Sequence, residues 1–237
     1  MSVIKKGILY LIPVPLGDSS LPDVLPAKTI EITRELKWFI AENAKTARQF
    51  LKQFNMAVPL QEITVNEIDK HSNEIDFALL FEGLRIGKDT GLLSEAGMPA
   101  VADPGSKFVL QAHKEGIKVV PLVGPSSILL AIAASGLNGQ SFIFHGYLPK
   151  EKDQRIEKIR SLDANARKLK QTQIFIETPY RNQAIIEDLL SNCSPGSLLC
   201  VASEISLPSE FIQTKSIAEW KKSKMDFNKK PVVFLIL

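Results

Sequence analysis

The chain of 237 residues has few of the residues on which metal and redox sites depend. It contains two cysteines and three histidines, and none of them stands in a CxxC or HExxH spacing, so we predict no metal site. Cys193 and Cys200 are close in sequence but not in a ligand spacing. We therefore expect them to be buried thiols of a reduced, cytoplasmic protein.

Long hydrophobic runs are also missing. The longest, such as residues 128–134, are far shorter than the roughly 20 apolar residues that cross a bilayer. The N-terminus leads directly into a strand-like run, without the hydrophobic segment and small-residue cleavage site of a secretion signal. These absences favour a cytoplasmic protein that does not associate with a membrane.

Two common phosphate-binding motifs are absent as well. Residues 11–18 read LIPVPLGD at the position where a dinucleotide fold would place GxGxxG, and prolines stand where the glycines are needed. The chain also has no GxxxxGK[ST] motif. A ligand held at this first loop therefore need not carry a pyrophosphate.

Strand-like and helix-like runs alternate along the whole chain, which predicts an α/β fold. Strands are predicted at residues 8–14, 38–41, 92–94, 119–123, 141–146, 173–177, 198–202 and 232–237. Helices are predicted at residues 44–54, 74–86, 107–114, 127–135, 152–169 and 182–190. Eight strands are compatible with one barrel or with two smaller sheets.

The charge distribution favours two lobes. Residues 1–121 carry 14 Lys/Arg and 15 Asp/Glu, a net charge of −1, whereas residues 122–237 carry 15 and 11, a net charge of +4. We therefore expect an N-terminal α/β lobe over 1–121 and a C-terminal α/β lobe over 122–237. The second lobe is the better suited of the two to an anionic partner.

Two segments share one sequence pattern, in which an apolar run ends in a cluster of Gly, Pro and Ser before a predicted helix; the first cluster also contains acidic residues. Residues 91–105 read GLLSEAGMPAVADPG, and residues 119–127 read VVPLVGPSS. Asp103-Pro104, and Ser126 or Ser127, are suited to cap the helices that follow. Ligands of open α/β sheets bind beyond the carboxyl ends of the strands, so both segments are candidate binding loops.

Six motifs in order give the chain a family resemblance. They are LIPVPLGD at 11–18, SEAGMP with ADPG at 94–105, VPLVGPSS at 120–127, SGL at 135–137, GYLP at 146–149 and FIETPYR at 175–181. Together they resemble the tetrapyrrole methylase superfamily, in particular its branch of ribosomal RNA small subunit methyltransferases, of which this chain would be a diverged, short member. The resemblance covers nearly the whole chain.

The resemblance implies a two-lobed fold, each lobe a mixed or parallel sheet with helices, and a homodimer that binds S-adenosyl-L-methionine in a cleft between the lobes. That donor has no phosphate, which agrees with the first loop. Its contacts carry over from the family motifs to Leu16, Glu95, Met98, Ser126, Ser127, Glu177, Thr178, Ala202 and Pro231. From the residues alone, Ser126 and Ser127 are equally well explained as helix caps, and Ala202 as core packing.

Methyl transfer to a ribose hydroxyl also needs a group that takes the hydroxyl proton, because a neutral hydroxyl is a poor nucleophile. Glu42, in the turn after the second strand, is the candidate base, and Glu95 and Glu177 are alternatives. Each of the three could instead be a solvated carboxylate or a donor contact.

The match to the family is imperfect in three places. The turn at 42–45 reads Glu-Asn-Ala-Lys, where the branch has Asp, Thr and Arg after the Glu, and Lys cannot replace an Arg that grips a planar anion bidentately. Glu95 stands where the family usually has Asp. Longer members carry a C-terminal extension implied to help bind RNA, whereas this sequence ends at Leu237.

The acceptor expected from the resemblance is a ribose 2′-hydroxyl of ribosomal RNA in the small subunit. Basic side chains between 150 and 170, with Lys152, Arg155 and Lys158 spaced for one helical face, support an RNA partner, as do Lys221, Lys222 and Lys224. No aromatic pattern typical of an RNA-stacking platform is visible. The alternatives are a methyltransferase of a tetrapyrrole or other small molecule, and a paralog that binds the donor without turnover.

Overall fold

The computed structural model describes residues 5–68, 75–224 and 226–237. His71 and the first residue of the helix predicted at 74–86 lie outside these ranges. The chain forms two compact units, Met1–Ser126 and Ser127–Leu237. This division differs from the expected one by the segment 122–126, which leads into the helix at Ser127.

Unit 1 is built on a parallel sheet with the strand order β3-β2-β4-β1-β5. Its strands are β1 (Ile8–Ile12), β2 (Trp38–Ala41), β3 (Thr64–Glu67), β4 (Thr90–Leu93) and β5 (Lys118–Pro121). Its helices are α1 (Leu21–Val24), α2 (Ala27–Glu35), α3 (Ala44–Leu51), α4 (Phe77–Leu80), α5 (Glu82–Arg85) and α6 (Ser106–Lys114).

Alternate residues of the central strands bury their side chains on opposite faces of this sheet. Leu11 and Leu92 belong to the core on one face, and Ile12 and Leu93 to the core on the other. Because both faces are covered, the strands are nearly continuous apolar runs. Because all strands are parallel, the loops after β1, β2, β4 and β5 leave the same edge of the sheet.

Unit 2 is built on a mixed sheet with the strand order β6-β7-β10-β8-β9, in which β6 and β7 are parallel and the other pairs are antiparallel. Its strands are β6 (Phe142–Tyr147), β7 (Thr172–Glu177), β8 (Leu198–Ser203), β9 (Phe211–Ser216) and β10 (Val232–Ile236). Its helices are α7 (Ser127–Ser135), α8 (Lys152–Leu169), α9 (Asn182–Asn192) and α10 (Ile217–Trp220).

The predicted α/β class is confirmed, and the strands form two sheets rather than one barrel. Two of the predicted details are wrong. The helix predicted over 74–86 is two short helices, α4 and α5, which meet at Phe81, where φ is −101° and ψ is 6°. Asp103 does not cap the helix after it, because α6 begins only at Ser106.

None of the helices in the described ranges combines the length and the apolar character needed to span a bilayer. Within the same ranges, His, Cys, Asp and Glu side chains form no group of three or more that could hold a metal ion. Cys193 and Cys200 are free and buried, as predicted. Burial raises the pKa of the Cys193 thiol to about 12.

Candidate functional site

Three loops at the carboxyl edge of the unit 1 sheet pack directly on one another. Val14, after β1, and Gly97, after β4, form an antiparallel bridge with N–H···O distances of 2.9 and 2.8 Å. A Cβ atom on Gly124, after β5, would lie 2.4 Å from Cβ of Pro13. We call these three segments, residues 13–17, 94–98 and 122–126, the loop cluster.

Gly97 holds the centre of the loop cluster. Its φ of +72° lies in the left-handed region, which side chains rarely adopt, and a Cβ there would lie 3.3 Å from Cδ2 of Leu16. The Ser94 hydroxyl donates to the Gly97 carbonyl at 3.1 Å. The backbone can therefore approach Leu16 closely, and this position explains the Gly of the SEAGMP motif.

The loop cluster borders a cavity of about 250 Å³ whose lining includes Leu16, Thr46, Phe50 and Glu95. Two of the predicted donor contacts, Leu16 and Glu95, therefore line one cavity. The Thr46 hydroxyl donates to the exposed Glu95 carboxylate at 3.0 Å. The volume lies below the roughly 300–1,000 Å³ typical of small-molecule pockets, so this cavity alone would hold only part of a ligand as large as the donor.

Met98 follows Gly97 in the same loop and is half-buried. Beyond it the chain makes a strained turn, with Ala100 at a φ of +68° and Ala102 at +62°. The Asp103 carboxylate holds this turn, because Oδ1 accepts from the amides of Ala100 and Gly105, both at 2.7 Å. Non-glycine residues in this region cost energy and persist where the surroundings fix them.

The sequence analysis named Asp103 only as a helix cap and not as a group with a shifted pKa. Burial raises the pKa of its carboxyl group, the two amide bonds oppose this rise, and the negative charge of Glu42 adds to it. Glu42, the predicted base, is half-buried at the end of β2. Because the charge of Glu42 affects the pKa of Asp103, the predicted base and Asp103 belong to one region of unit 1.

The turn that departs from the family pattern has a structural role here. Asn43 is the N-cap of α3, and its Oδ1 accepts from the amides of Lys45 at 2.9 Å and Thr46 at 3.1 Å. Asp caps helices about as well as Asn, so the same capping would be available to the family's residue. The Lys45 side chain is exposed.

In unit 2, the predicted Glu177 ends β7 with its side chain fully buried. Its Oε1 accepts from the Thr178 amide at 2.7 Å, and Oε2 lies 3.2 Å from Nη2 of Arg181. Among the described residues, Oε2 has no hydrogen-bond partner, which is an unusual condition for a buried carboxylate oxygen. Arg181, which the sequence analysis did not single out, thus pairs with a predicted site residue.

The remaining predicted contacts lie in different environments. Thr178 is exposed at the start of a turn of 3₁₀ helix, Pro179–Arg181, and Pro231 is exposed directly before β10. Ala202 is fully buried inside the sheet, where it pairs with Val233 and Ile212. Ser126 and Ser127 are half-buried at the junction of the two units, and their donor contacts, like that of Ala202, stay predictions.

One predicted RNA contact is wrong. Arg155 on α8 is 7% exposed, and its Nε donates to Oδ2 of Asp188 on α9 at 2.7 Å. Its Nη1 also donates to the Lys150 carbonyl at 2.8 Å. Arg155 therefore joins two helices of the core and is not part of a basic surface, whereas Lys152 on the same helix is exposed.

Comparison with known proteins identifies the family. Residues 8–220 match the family model described as Tetrapyrrole (Corrin/Porphyrin) Methylases. The chain is 36% identical, over 78% of its length, to a ribosomal RNA small subunit methyltransferase I of Halalkalibacterium halodurans, of which it spans 60%. It is 30% identical to the protein of the same name from Thermotoga maritima, over 92% of this chain and 94% of that protein.

The fold is also that of a solved cobalamin biosynthetic enzyme. The X-ray structure of a cobalamin biosynthetic enzyme, cobalt precorrin-4 methyltransferase, superposes with a TM-score of 0.63 over 96% of this chain and 93% of that one, at 16% identity. This likeness shows the two-lobed α/β fold. The chain belongs to the tetrapyrrole methylases, a family of methyltransferases that use S-adenosylmethionine as methyl donor.

Proposed function

We propose that this enzyme transfers a methyl group from S-adenosylmethionine to a ribose 2′-hydroxyl of small-subunit ribosomal RNA. The observation that carries the proposal is the 30% identity to the Thermotoga maritima ribosomal RNA small subunit methyltransferase I, which extends over 94% of that protein. The fold alone does not distinguish an RNA from a tetrapyrrole acceptor, since one solved structure with this fold is a cobalt precorrin-4 methyltransferase.

The residues of the chain fit the donor in three respects. The loop cluster offers close backbone approach at Gly97 and Gly124, and the adjoining cavity is lined by Leu16 and Phe50 for an apolar moiety. Glu177 places a buried carboxylate, paired with Arg181, at the end of β7. When bound, the donor supplies a methyl group on a sulfonium centre. We assign its contacts to Leu16, Glu95, Met98, Ser126, Ser127, Glu177, Thr178, Ala202 and Pro231.

The proton of the acceptor hydroxyl needs a carboxylate near the transfer point. We assign this role to Glu42. Its negative charge raises the pKa of the Asp103 carboxyl group. Glu95 is held by Thr46 on the cavity wall and is better suited to a donor contact. Glu177 is fully buried and paired with Arg181, which favours a fixed charge over proton exchange.

Binding of the donor without turnover is the alternative that the turn at 42–45 raised. The capping role of Asn43 favours an active enzyme, because the Asp-to-Asn difference preserves the interaction that this residue makes here. Asn43→Asp with Lys45→Arg tests the alternative. A large gain in methylation would mean that the turn weakens catalysis, whereas an unchanged rate would mean that the turn does not determine it.

We further propose that the enzyme works as a homodimer in the cytoplasm. Phe142 and Ile143 are exposed on the edge strand β6, at 37% and 42%, and Leu129 on α7 is exposed at 57%, which suits an apolar contact with a second copy. The free, buried thiols of Cys193 and Cys200 suit a reducing compartment.

The test is transfer of labelled methyl from S-adenosylmethionine to isolated small ribosomal subunits, with total RNA and a tetrapyrrole as parallel acceptors. Label in the small-subunit RNA, mapped to a ribose, is the expected result. Label only in the tetrapyrrole would replace RNA by a small-molecule acceptor. Donor binding without label in any acceptor would favour the non-catalytic alternative.

A further inference from the structure

Two exposed tyrosines lie at one edge of the unit 2 sheet. Tyr147 is the last residue of β6 and is 57% exposed, and Tyr180 lies in the turn that follows β7 and is 78% exposed. The two strands are parallel neighbours, and Tyr147 pairs with Ile176. The strands therefore end side by side, roughly 5 Å apart, and both tyrosines lie where they end.

The segments that carry the tyrosines are held firmly. The Arg181 guanidinium donates to the Pro149 carbonyl at 2.9 Å and pairs with the buried Glu177 carboxylate, so it ties the turn after β7 to the segment after β6. The Lys229 amide donates to the Pro179 carbonyl at 3.1 Å. An aromatic side chain on such a turn has only two torsions to order when it binds a ligand, so the entropic cost is small.

A break in the strand pattern accompanies the exposure of Tyr147. The pairing of β6 with β7 shifts register between Phe144 and Tyr147, and Gly146 within this bulge has a φ of +68°. Bulges re-aim the side chains that follow them. In the described part of the chain, neither tyrosine ring contacts another aromatic ring and neither hydroxyl has a hydrogen-bond partner.

Exposed lysines lie on the segments beside both tyrosines. Lys150 follows the Tyr147 segment, and Lys229 is anchored to the Tyr180 turn; both side chains are exposed. Protein interfaces are depleted in lysine, whereas single-stranded nucleic acid is bound by aromatic rings for its bases and cations for its phosphates. The exposed apolar residues Phe142 and Ile143 lie at the opposite end of β6.

We propose that Tyr147 and Tyr180 form a platform on which unpaired bases of the acceptor RNA stack, with Lys150 and Lys229 contacting the backbone phosphates. The platform adjoins Glu177 and Thr178, to which the donor contacts are assigned, so it would hold RNA beside the donor-binding segment of unit 2. This inference rests on the proposed function, since it specifies how an RNA acceptor is held.

The experiment measures binding of a fluorescently labelled, single-stranded oligoadenylate to the full chain by anisotropy. Stacking of one base on an aromatic side chain is worth about 1–3 kcal/mol, so Tyr180→Ala is expected to weaken binding by about 5- to 150-fold. Tyr180→Trp keeps the ring and is expected to bind at least as well as the wild type. Leu169→Ala, which removes an exposed apolar side chain before the start of β7 and so at the opposite end of that strand from Tyr180, is the control and is expected to bind normally.

Salt dependence separates the two kinds of contact. Lys229→Ala is expected to reduce the slope of log K against log salt by about 0.7, the value for one phosphate contact to a single strand, whereas Tyr180→Ala leaves the slope unchanged. On small ribosomal subunits, Tyr180→Ala is expected to raise KM for the RNA with kcat little changed.

Three outcomes would overturn the platform. If the wild type methylates small-subunit RNA and Tyr180→Ala binds the oligonucleotide as tightly as the wild type, the platform is wrong and the proposed function stands. If Tyr180→Ala instead dissociates a dimer in sedimentation, this edge is covered by a second copy. If the wild type binds the donor but neither binds nor methylates RNA, the proposed function fails and the platform with it.

Discussion

Replacing Arg155 by Met should destabilise unit 2 without affecting RNA contacts. The side chains of Arg155 and Asp188 are 9% and 10% exposed, and their ion pair of 2.7 Å joins α8 to α9. Met has a similar length and no charge, so the variant would leave the Asp188 carboxylate buried without its cation. It would also remove the donor to the Lys150 carbonyl.

The size of this effect follows from the cost of an uncompensated buried charge. Removing one partner of a buried pair costs about 3–5 kcal/mol, and the slight exposure of both side chains points to the lower end, about 3 kcal/mol. Replacing both partners, Arg155→Met with Asp188→Leu, removes the stranded charge. The double variant should therefore recover most of the lost free energy of unfolding.

The assay uses the fact that each unit contains one of the two tryptophans, Trp38 in unit 1 and Trp220 in unit 2. Trp220, which is 1% exposed, reports on unit 2, and a Trp38→Phe background removes the signal from unit 1. Urea titration followed by Trp220 fluorescence gives the free energy of unfolding, and Lys152→Met, at an exposed position of the same helix, is the control with an expected change within about 0.5 kcal/mol. If Arg155→Met costs less than about 1 kcal/mol and lowers the salt slope of RNA binding, then Arg155 is a surface cation and the reasoning is refuted.

Three further predictions test the loop cluster and the core. Gly97→Ala should cost about 1–2 kcal/mol in urea unfolding and weaken donor binding in calorimetry, because φ is +72° there, whereas Gly139→Ala, with open space around it, should be near neutral. Asp103→Asn keeps an acceptor for the two amides, whereas Asp103→Ala does not. Burial raises the pKa of the Asp103 carboxyl group, so the wild type loses stability as this group ionises in the folded state. The stability of Asp103→Asn relative to the wild type should therefore grow as the pH rises above about 4. Cys193, whose pKa is raised to about 12, should resist a disulfide reagent at pH 8 until urea unfolds the protein; rapid native labelling would contradict its burial.

The buried elements of the fold were predictable from the sequence. Strand β2 and helices α7 and α8 have the predicted bounds, because each shows one clear periodicity or a short apolar run between polar neighbours. The two strands that the sequence analysis missed, β3 and β9, are edge strands. Their residues, TVNE and FIQTKS, are largely half-buried or exposed, so neither an apolar run nor a regular alternation marks them.

Helix α2 was missed for a different reason. It begins after Pro26 and has no side-chain cap, so the usual signal of its start is absent. Arg155 shows the converse limit. Its spacing from Lys152 and Lys158 is that of one helical face, yet periodicity along α8 cannot reveal that Asp188 on another helix lies against that face. Spacing locates a side chain on its own element and says nothing of the element packed against it.

The residues of the candidate site likewise fall into those that local motifs identify and those that only contacts in the fold reveal. The family motifs identified Leu16 and Glu95, and the bridge from Val14 to Gly97 explains why they line one cavity. Asp103 and Arg181 were missed although both lie in the motifs, because a motif does not show which side chains are buried or charged. The charge of Glu42 acts on Asp103, and Arg181 pairs with Glu177, whose burial only the fold reveals.

Tyr147 and Tyr180 illustrate this limit most clearly. They lie 33 residues apart in the chain, so no pattern along the sequence joins them into an RNA-stacking platform. The parallel pairing of β6 with β7 brings their segments to one edge of the sheet, and the Arg181 bond to the Pro149 carbonyl adds a further link between the two segments. An RNA-binding surface assembled in this way depends on the sheet of unit 2, and we therefore expect variants that destabilise that sheet, Arg155→Met among them, to weaken RNA binding only where they also unfold the unit.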